Sequence, residues 1–526
     1  MENFRHTEYM TESSDFFQKR RLKANEEFIV TVNPEKWKIT SGENGFWKNY
    51  SSKGKKMQSQ GWKVHISSIY ENAEETLEIV AGLLLELEIN FKHVSDKRKL
   101  LEMYSKLGNR VSAGKFITIY PNDTEFFMLI ETLYKHLKNQ PDGPYILSDK
   151  QWKRSNVYFR YGTYQNIVDP KGISYIEDKN GNLFPDKREP RFKLPSFIEI
   201  PLEVTKEEEQ FLKKEKITNL EFENKLRDYQ IEKAIRFSNS GGIYLAVCKK
   251  SGKKCVIKEA RANIGLDGLC RPATERLENE YRALKQIQHI PEVVKVLDYF
   301  QVWENTFLVL EYLDGITLED WIQQEFPFGK ELDTEKYFFK VNRIVENLDK
   351  VLARIHEIGL AICDLQPSNI ILDKDLNVRF IDFETATKIG ESSHAALKTR
   401  GFSNKNIKNS EEKDWYALNR IFHHCLLPLN NLFELSKDFN RKQCQWIIDN
   451  YGIDNYKIFD AYNKKIAKKI SNFNDIFENT YPVIQGENFF SSYEFLTIKK
   501  LTEKLKKGIL ENCKASSTSL INGNLG

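Results

Sequence analysis

The spacing of apolar and polar positions changes along the chain. Trp62 to Tyr70 has the alternation of a strand, and Asn72 to Ile89 carries apolar residues at 77, 80, 84 and 87, one face of a helix. Phe116 to Tyr120 is a short β-branched and aromatic strand, and Pro121-Asn122-Asp123 then starts a helix that runs to Leu137. Strands mixed with helices in this way predict an α+β domain of about two hundred residues. From Pro185 to Pro201 (PDKREPRFKLPSFIEIP) each proline removes a donor and restricts the residue before it, which excludes a regular element. The charged run Glu203 to Glu215 comes next. A domain boundary is expected here, closing a first domain at residues 1–202.

Beyond the boundary, Gly241-Gly242 sits in a strand context and Ser251 marks a hairpin turn. A strand ends in Val256-Ile257-Lys258, a helix follows around Leu277 to Gln288, and Val294 to Leu313 reads as a strand pair turning at Glu304-Asn305. Short apolar strands recur at Asn369 to Leu372 and Val378 to Ile381 within a mainly helical remainder.

Composition narrows the classes. A chain of 526 residues is too long for one ordinary core. Lys and Arg number 79 against 75 Asp and Glu, which gives no reason to invoke nucleic acid. The apolar run Ile79 to Ile89 contains Glu86 and Glu88 and is too short to span a bilayer, so no membrane is implied. The N-terminus lacks the apolar core of a secretory signal. The seven cysteines all follow position 247 without a CxxC pair and read as reduced thiols of a cytoplasmic protein.

Chemistry concentrates in HEIGLAICDLQPSNIILDKDLNVRFIDFE, His356 to Glu384. Asp364, Asn369 five residues later and Asp382 after a β-branched run are the order that phosphoryl transfer needs. The first accepts the proton of an attacking hydroxyl; the other two hold the magnesium ions that bridge nucleotide phosphates. Lys258, ending its strand, is aimed at those phosphates. Glu280 in LENEYRALKQI is its expected partner, with Glu278 as the alternative. Gly241 and Gly242 form a degenerate glycine loop whose amides approach the phosphates, and Glu311 and Leu313 flank the hinge that reads the base. Asp414 in KDWYAL resembles the buried helix Asp that supports a kinase catalytic loop. The layout is that of a kinase small lobe over residues 203–313 and a large lobe over 314–510. The departures are Cys363 where kinases carry Arg, Gln366 where many carry Lys, Glu384 after Asp382-Phe383, and no A-P-E downstream. Without that Arg, control by activation-loop phosphorylation is not expected.

A second constellation lies in the first domain. Lys63-Val64-His65 places Lys and His on one face of a strand; Lys92, Arg110, Tyr120, Asp149, Arg154 and Arg160 follow. Cations gathered around one His suggest a pocket for a dianion such as a phosphoester. The segments WKVHIS, FK, RVSAGKFITIYP and VYFRYG resemble the phosphothreonine-lyase domain first known from bacterial effector lyases. Together with DKNGNLFPDKREPRFKLP, VIKEAR, CDLQPSN and IDFE they resemble the lyase–kinase portion of class III lanthipeptide synthetases.

The resemblance implies a dehydratase. The kinase half phosphorylates Ser or Thr of a ribosomally made, leader-bearing precursor peptide at the expense of ATP or GTP with Mg2+. The lyase half then expels phosphate. It implies Lys92 as general base, protonated His65 as general acid, Lys63, Arg110 and Arg160 as phosphate holders, and Tyr120 and Asp149 as orienting groups. These cations are expected to lower the Lys92 pKa. The family also carries a cyclase domain, of which residues 511–526 resemble a linker or first turn, so ring closure is not expected. Tyr493 to Leu510 reads as a linker helix, with a homodimer contact as the alternative. The rivals are a Ser/Thr protein kinase with an N-terminal regulatory domain and a non-catalytic nucleotide-binding scaffold.

Overall fold

The computed structural model describes residues 27–42, 45–164, 173–216, 225–328, 333–391, 399, 401–404, 406–429 and 439–471. The segments 493–510 and 511–526, with the linker, dimer and cyclase expectations placed on them, lie outside these residues. The described residues form two compact units. One holds those up to Leu277 together with Leu297–Leu310, and the other holds Glu278–Val296 and those from Glu311 onward.

In the first unit β1 (Trp37–Ser41), β2 (Trp47–Ser52), β3 (Gln60–Ile66), β4 (Asn90–Val94), β5 (Ile117–Tyr120), β6 (Lys150–Gln151) and β7 (Val157–Thr163) build a seven-stranded antiparallel sheet. Its order is β1-β2-β4-β5-β3-β7-β6. Helices α1 (Ala73–Glu86), α2 (Lys97–Tyr104) and α3 (Phe126–Leu137) accompany it. Period-two alternation divides the sheet into two faces. Register pairs Trp62 with Tyr161, Val64 with Phe159 and Ile119, and Phe91 with Ile119. These apolar side chains share one core with Leu77, Val80 and Leu84 of α1 and Phe126, Leu129 and Leu133 of α3. The other face is polar: Lys63 lies opposite Arg160, His65 opposite Tyr158 and Thr118, and Lys92 opposite Thr118. The apolar face fixes the register, because a slip by one residue would bury the cations in the core.

Beyond the sheet, β8 (Tyr175–Glu177) and β9 (Leu183–Pro185) form a hairpin, and the prolines that follow run without regular structure to α4 (Leu202–Lys216). The charged run read from sequence as a boundary is this helix. Val204 is buried in the first domain's core, and Lys150 and Lys153 pair with Glu208 and Glu207. The N-terminal fold therefore continues past the prolines. A second sheet, order β10-β11-β12-β14-β13, comprises β10 (Tyr229–Ser238), β11 (Gly241–Cys248), β12 (Lys254–Ala260), β13 (Val296–Val302) and β14 (Asn305–Glu311). The last two turn at Trp303-Glu304, one residue earlier than expected, with Trp303 at a φ of 54°.

Helix α5 (Ala273–Ile287) begins in the first unit. The second unit adds α6 (Leu318–Glu325), α7 (Thr334–Glu357), α8 (Ser410–Leu426), α9 (Phe439–Tyr451) and α10 (Ile453–Ala467), with short strands β15 to β19 between Ile316 and Lys388. Asp333 caps α7 and Asn409 caps α8, each accepting from two backbone amides of the first turn. Every residue of α8 from Asp414 to Leu426 is buried, which makes it the axis of this unit. No helix among the described residues is long and apolar enough to cross a membrane. No disulfide joins the six cysteines among them.

Candidate active sites

The polar face of the seven-stranded sheet gathers one set of residues. Lys63 and His65 on β3, Arg160 on β7 and Asp149 just before β6 are buried; Lys92 on β4 and Tyr120 on β5 are partly so. His65 Nδ1 contacts Asp149 Oδ2. The other carboxylate oxygen of Asp149 accepts from Ser148 Oγ at 2.7 Å and faces Lys115 Nζ at 3.3 Å. Burial alone would raise the Asp149 carboxyl, but Lys115 and His65 hold it well below the usual carboxylate range. With Asp149 ionised, Nδ1 of His65 is the donor and Nε2 is left to meet a substrate.

The cations repel one another in a dry site. Burial, then Arg188 and Lys115, lower Lys92 to about 8; its Nζ lies 4.4 Å from the Trp47 ring centroid. Burial, then Arg188 and Arg160, hold Lys63 well below the ordinary lysine range, against the pull of Asp186. Burial lowers His65 to about 4, against the opposing pull of Asp149 beside it. Arg160 donates to Asp186 Oδ1 at 2.5 Å. A cavity of about 350 Å³ opens beside it, lined among others by Ser148, Arg160, Ile176, Asp186 and Arg188.

Sequence reasoning missed three members of this cluster. Lys115 lies inside RVSAGKFITIY, and Asp186 and Arg188 lie inside the Pro-rich DKREP, segments noted for their resemblance but not for these side chains. Two expected members lie elsewhere. Arg154 is exposed. Arg110 donates to Ser238 O at 3.2 Å and Gly241 O at 3.1 Å, with its guanidinium 4.7 Å from the Phe237 ring. Its grouping with the phosphate cations, and its part in lowering Lys92, are corrected accordingly: Lys115 and Arg188 exert that repulsion.

The same unit carries the small-lobe strands. Lys258 lies opposite Ile243 across the β11–β12 pair. Gly241 is required by packing: a Cβ there would come within 1.9 Å of Glu259 O. Packing against Glu259 thus calls for glycine at position 241.

In the second unit, Asp364 precedes a 3₁₀ turn at Pro367–Asn369 that Asn369 ends, and Asn369 Nδ2 donates to Asp364 O at 3.0 Å. The Asp364 carboxylate accepts from Thr399 Oγ1 at 2.8 Å and from Gln366 Nε2 at 3.0 Å. Burial raises Asp364 to about 6; the Thr399 bond opposes the shift, while Asp382 and Glu384 add to it. Carboxylates that repel one another in this way fit a site completed by a cation. No three His, Cys, Asp or Glu side chains among the described residues form a metal cluster, so magnesium held by Asp382 and Asn369 would need oxygens from the nucleotide, its usual mode of binding.

Backbone geometry aims this set. Cys363 and Asp382 take φ of 68° and 67°, left-handed values that cost a non-glycine residue about 1 kcal/mol or more. Asp414 on α8 restrains the first: its carboxylate accepts from Ile362 N and Cys363 N, both at 2.7 Å, and meets His356 Nε2 at 2.9 Å. Glu280 is buried and accepts from Phe383 N at 3.4 Å, while Glu278 pairs with Arg282. Glu311 accepts from Lys295 N at 2.9 Å and pairs with Arg379, and half-buried Leu313 follows the end of β14.

Comparison with known proteins matches these two regions to two families. The RamC N-terminal domain matches residues 26–214 and the protein kinase domain residues 229–503. The probable SapB synthase of Streptomyces coelicolor is 30% identical over 444 residues, covering 83% of this chain and 46% of that protein. The chain thus aligns with less than half of that relative's length. The probable serine/threonine-protein kinase fnkB of Dictyostelium discoideum is 31% identical over 105 residues, 20% of this chain and 18% of that one. The probable serine/threonine-protein kinase PknB of Lactococcus lactis is 26% identical over 172 residues, 32% of this chain and 26% of that one. The kinase match takes in more than half of the chain, which belongs to the protein kinase family and carries a RamC N-terminal domain ahead of its kinase domain.

Proposed function

We propose that the chain is the dehydratase portion of a lanthipeptide synthetase, which phosphorylates Ser or Thr of a precursor peptide and then eliminates the phosphate. The observation that carries this reading is the polar sheet face. A plain kinase with a regulatory domain has no use for three depressed lysines and a His–Asp pair beside a cationic cavity. The similarity to a SapB synthase points the same way.

A Ser or Thr hydroxyl is a poor leaving group, so it is first esterified. Asp364 takes the hydroxyl proton as the oxygen bonds to the γ-phosphorus and the bond to the departing nucleoside diphosphate breaks, with Gln366 and Thr399 holding its carboxylate. Asp382 and Asn369 would hold magnesium, which would supply charge neutralisation; Lys258 and Glu280 serve the nucleotide, ATP or GTP, and Glu311 and Leu313 its base.

In elimination, Arg160, Lys115, Arg188 and Lys63 attract the phosphate. Neutral Lys92 takes the α-proton, the C–O bond breaks, and the electron pair of the C–H bond becomes the new C=C bond. The incoming dianion raises His65, whose Nε2 then carries a proton to the leaving oxygen. Asp149 keeps the imidazole oriented, and Tyr120 closes the same face. General acid–base help of this kind is worth roughly two to four orders of magnitude in rate.

The test is to incubate the protein with magnesium, nucleotide and a leader-bearing peptide rich in Ser and Thr, then measure the peptide's intact mass. Loss of one water per modified residue is expected. Phosphate gain that never turns into water loss would reduce the chain to a kinase.

A further inference from the structure

The turn joining β10 and β11, Ser238 to Gly241, is built unlike an ordinary hairpin tip. Such tips are exposed and mobile, yet Asn239 is 1% and Ser240 9% exposed. The cover comes from the end of α2 and the loop after it. Asn239 N donates to Lys106 O at 3.3 Å, and Asn239 Nδ2 donates to Met103 O at 3.0 Å and Ser105 O at 2.9 Å. On the opposite side, Arg261 N donates to Ser240 O at 2.8 Å. Two glycines make the room. A Cβ on Gly108 would stand 2.2 Å from Met103 O and 2.6 Å from Asn239 Nδ2, and one on Gly265 would stand 2.3 Å from Ser240 Oγ.

Arg110 spans the mouth of the turn. Ser238 and Gly241 face each other in register, and one guanidinium nitrogen bonds both carbonyls. The same side chain lies over Phe237 and bonds Tyr244. A cation whose donors are engaged by two strand-end carbonyls is placed to hold a loop.

We propose that Arg110 is a positioning residue for the phosphoryl-transfer half-reaction, holding the 238–241 turn in place for the nucleotide. This rests on the proposed function and on the reading of that hairpin as the nucleotide loop. A turn already held has no ordering entropy left to lose when nucleotide binds, so the effect falls on nucleotide affinity and not on the chemical step.

The test compares the wild-type chain with Arg110→Met, which keeps the stem over Phe237 but loses the donors, and Arg110→Lys, which restores one. Asn239→Ala releases the same turn from its other anchor, at Met103 and Ser105, and serves if the Met variant fails to fold. A fluorescent ATP analogue with magnesium reports Kd, peptide phosphorylation gives KM and kcat, and a synthetic phosphoserine peptide reports elimination. Amide exchange over 238–242 is read without nucleotide. For Arg110→Met, Kd and KM should rise roughly tenfold with kcat changed by less than about threefold, the loss of one or two charge-assisted bonds. Exchange in the turn should quicken, Arg110→Lys should recover part of the affinity, and elimination should persist. Elimination falling more than about tenfold with Kd and KM unchanged would overturn the proposal and return Arg110 to the phosphate pocket. A wild-type chain that binds no nucleotide and phosphorylates nothing would overturn the functional reading and this proposal with it.

Discussion

At the scale of single residues, the polar sheet face works by repulsion. Arg188 is the strongest cationic neighbour of Lys92 and adds to the burial that lowers it to about 8. Removing a positive neighbour makes the protonated lysine cheaper, so Arg188→Gln raises Lys92. The pH profile of kcat/KM for elimination should therefore have its limb near pH 8 in the wild type, moving to higher pH in the variant. The value of kcat/KM should also fall by roughly one to two orders of magnitude, the size of a lost charge-stabilising donor. A limb that stays put would remove Lys92 as its source. Lys63, His65 and Lys92 were legible because period-two alternation and one strand pairing place them. Lys115, Asp186 and Arg188 were not, since the fold joins segments far apart in sequence. Arg110 was misplaced because spacing does not say which way a loop side chain turns.

At the scale of elements, the buried helix α8 acts as a clamp on the loop that carries Asp364. Asp414 accepts two backbone amides and meets His356, and it restrains the left-handed Cys363. Asp414→Ala leaves both amides without their acceptor, at roughly 1–3 kcal/mol each. The variant should lose phosphorylation by at least about a hundredfold and show a lower-temperature unfolding transition by calorimetry. Elimination from phosphopeptide, measured below that transition, should persist. Retained phosphorylation would mean that Asp364 is held by other contacts. Helix and strand existence was readable from periodicity, and the caps Asn409 and Asp333 are common sequence signals. The run Leu202–Lys216 was read as a boundary because its charge outweighs its few apolar positions, and only the docking of Val204 and the two lysine–glutamate pairs shows where it belongs.

At the scale of the whole molecule, the residues proposed for the two half-reactions lie in different compact units. Asp364, Asn369 and Asp382 lie in the second, and Lys92, His65 and Asp149 in the first. Each half can then be disabled alone. Asp364→Asn should leave the precursor unmodified by intact mass, yet still convert purified phosphopeptide to the dehydrated product. Lys92→Ala should do the reverse and accumulate phosphopeptide. Neither substitution touches the core that holds the other set, so the losses should be confined to one step. Mixing the two variants makes a sharper demand, because phosphopeptide made on one molecule must leave it and be eliminated on another. Water loss should reappear at a rate that rises with protein concentration, as a bimolecular transfer requires, and should lag behind the wild type at equal active sites. If Lys92→Ala alone still yields fully dehydrated peptide, the base lies elsewhere, and Lys63, another lysine that burial and cations depress, becomes the next substitution.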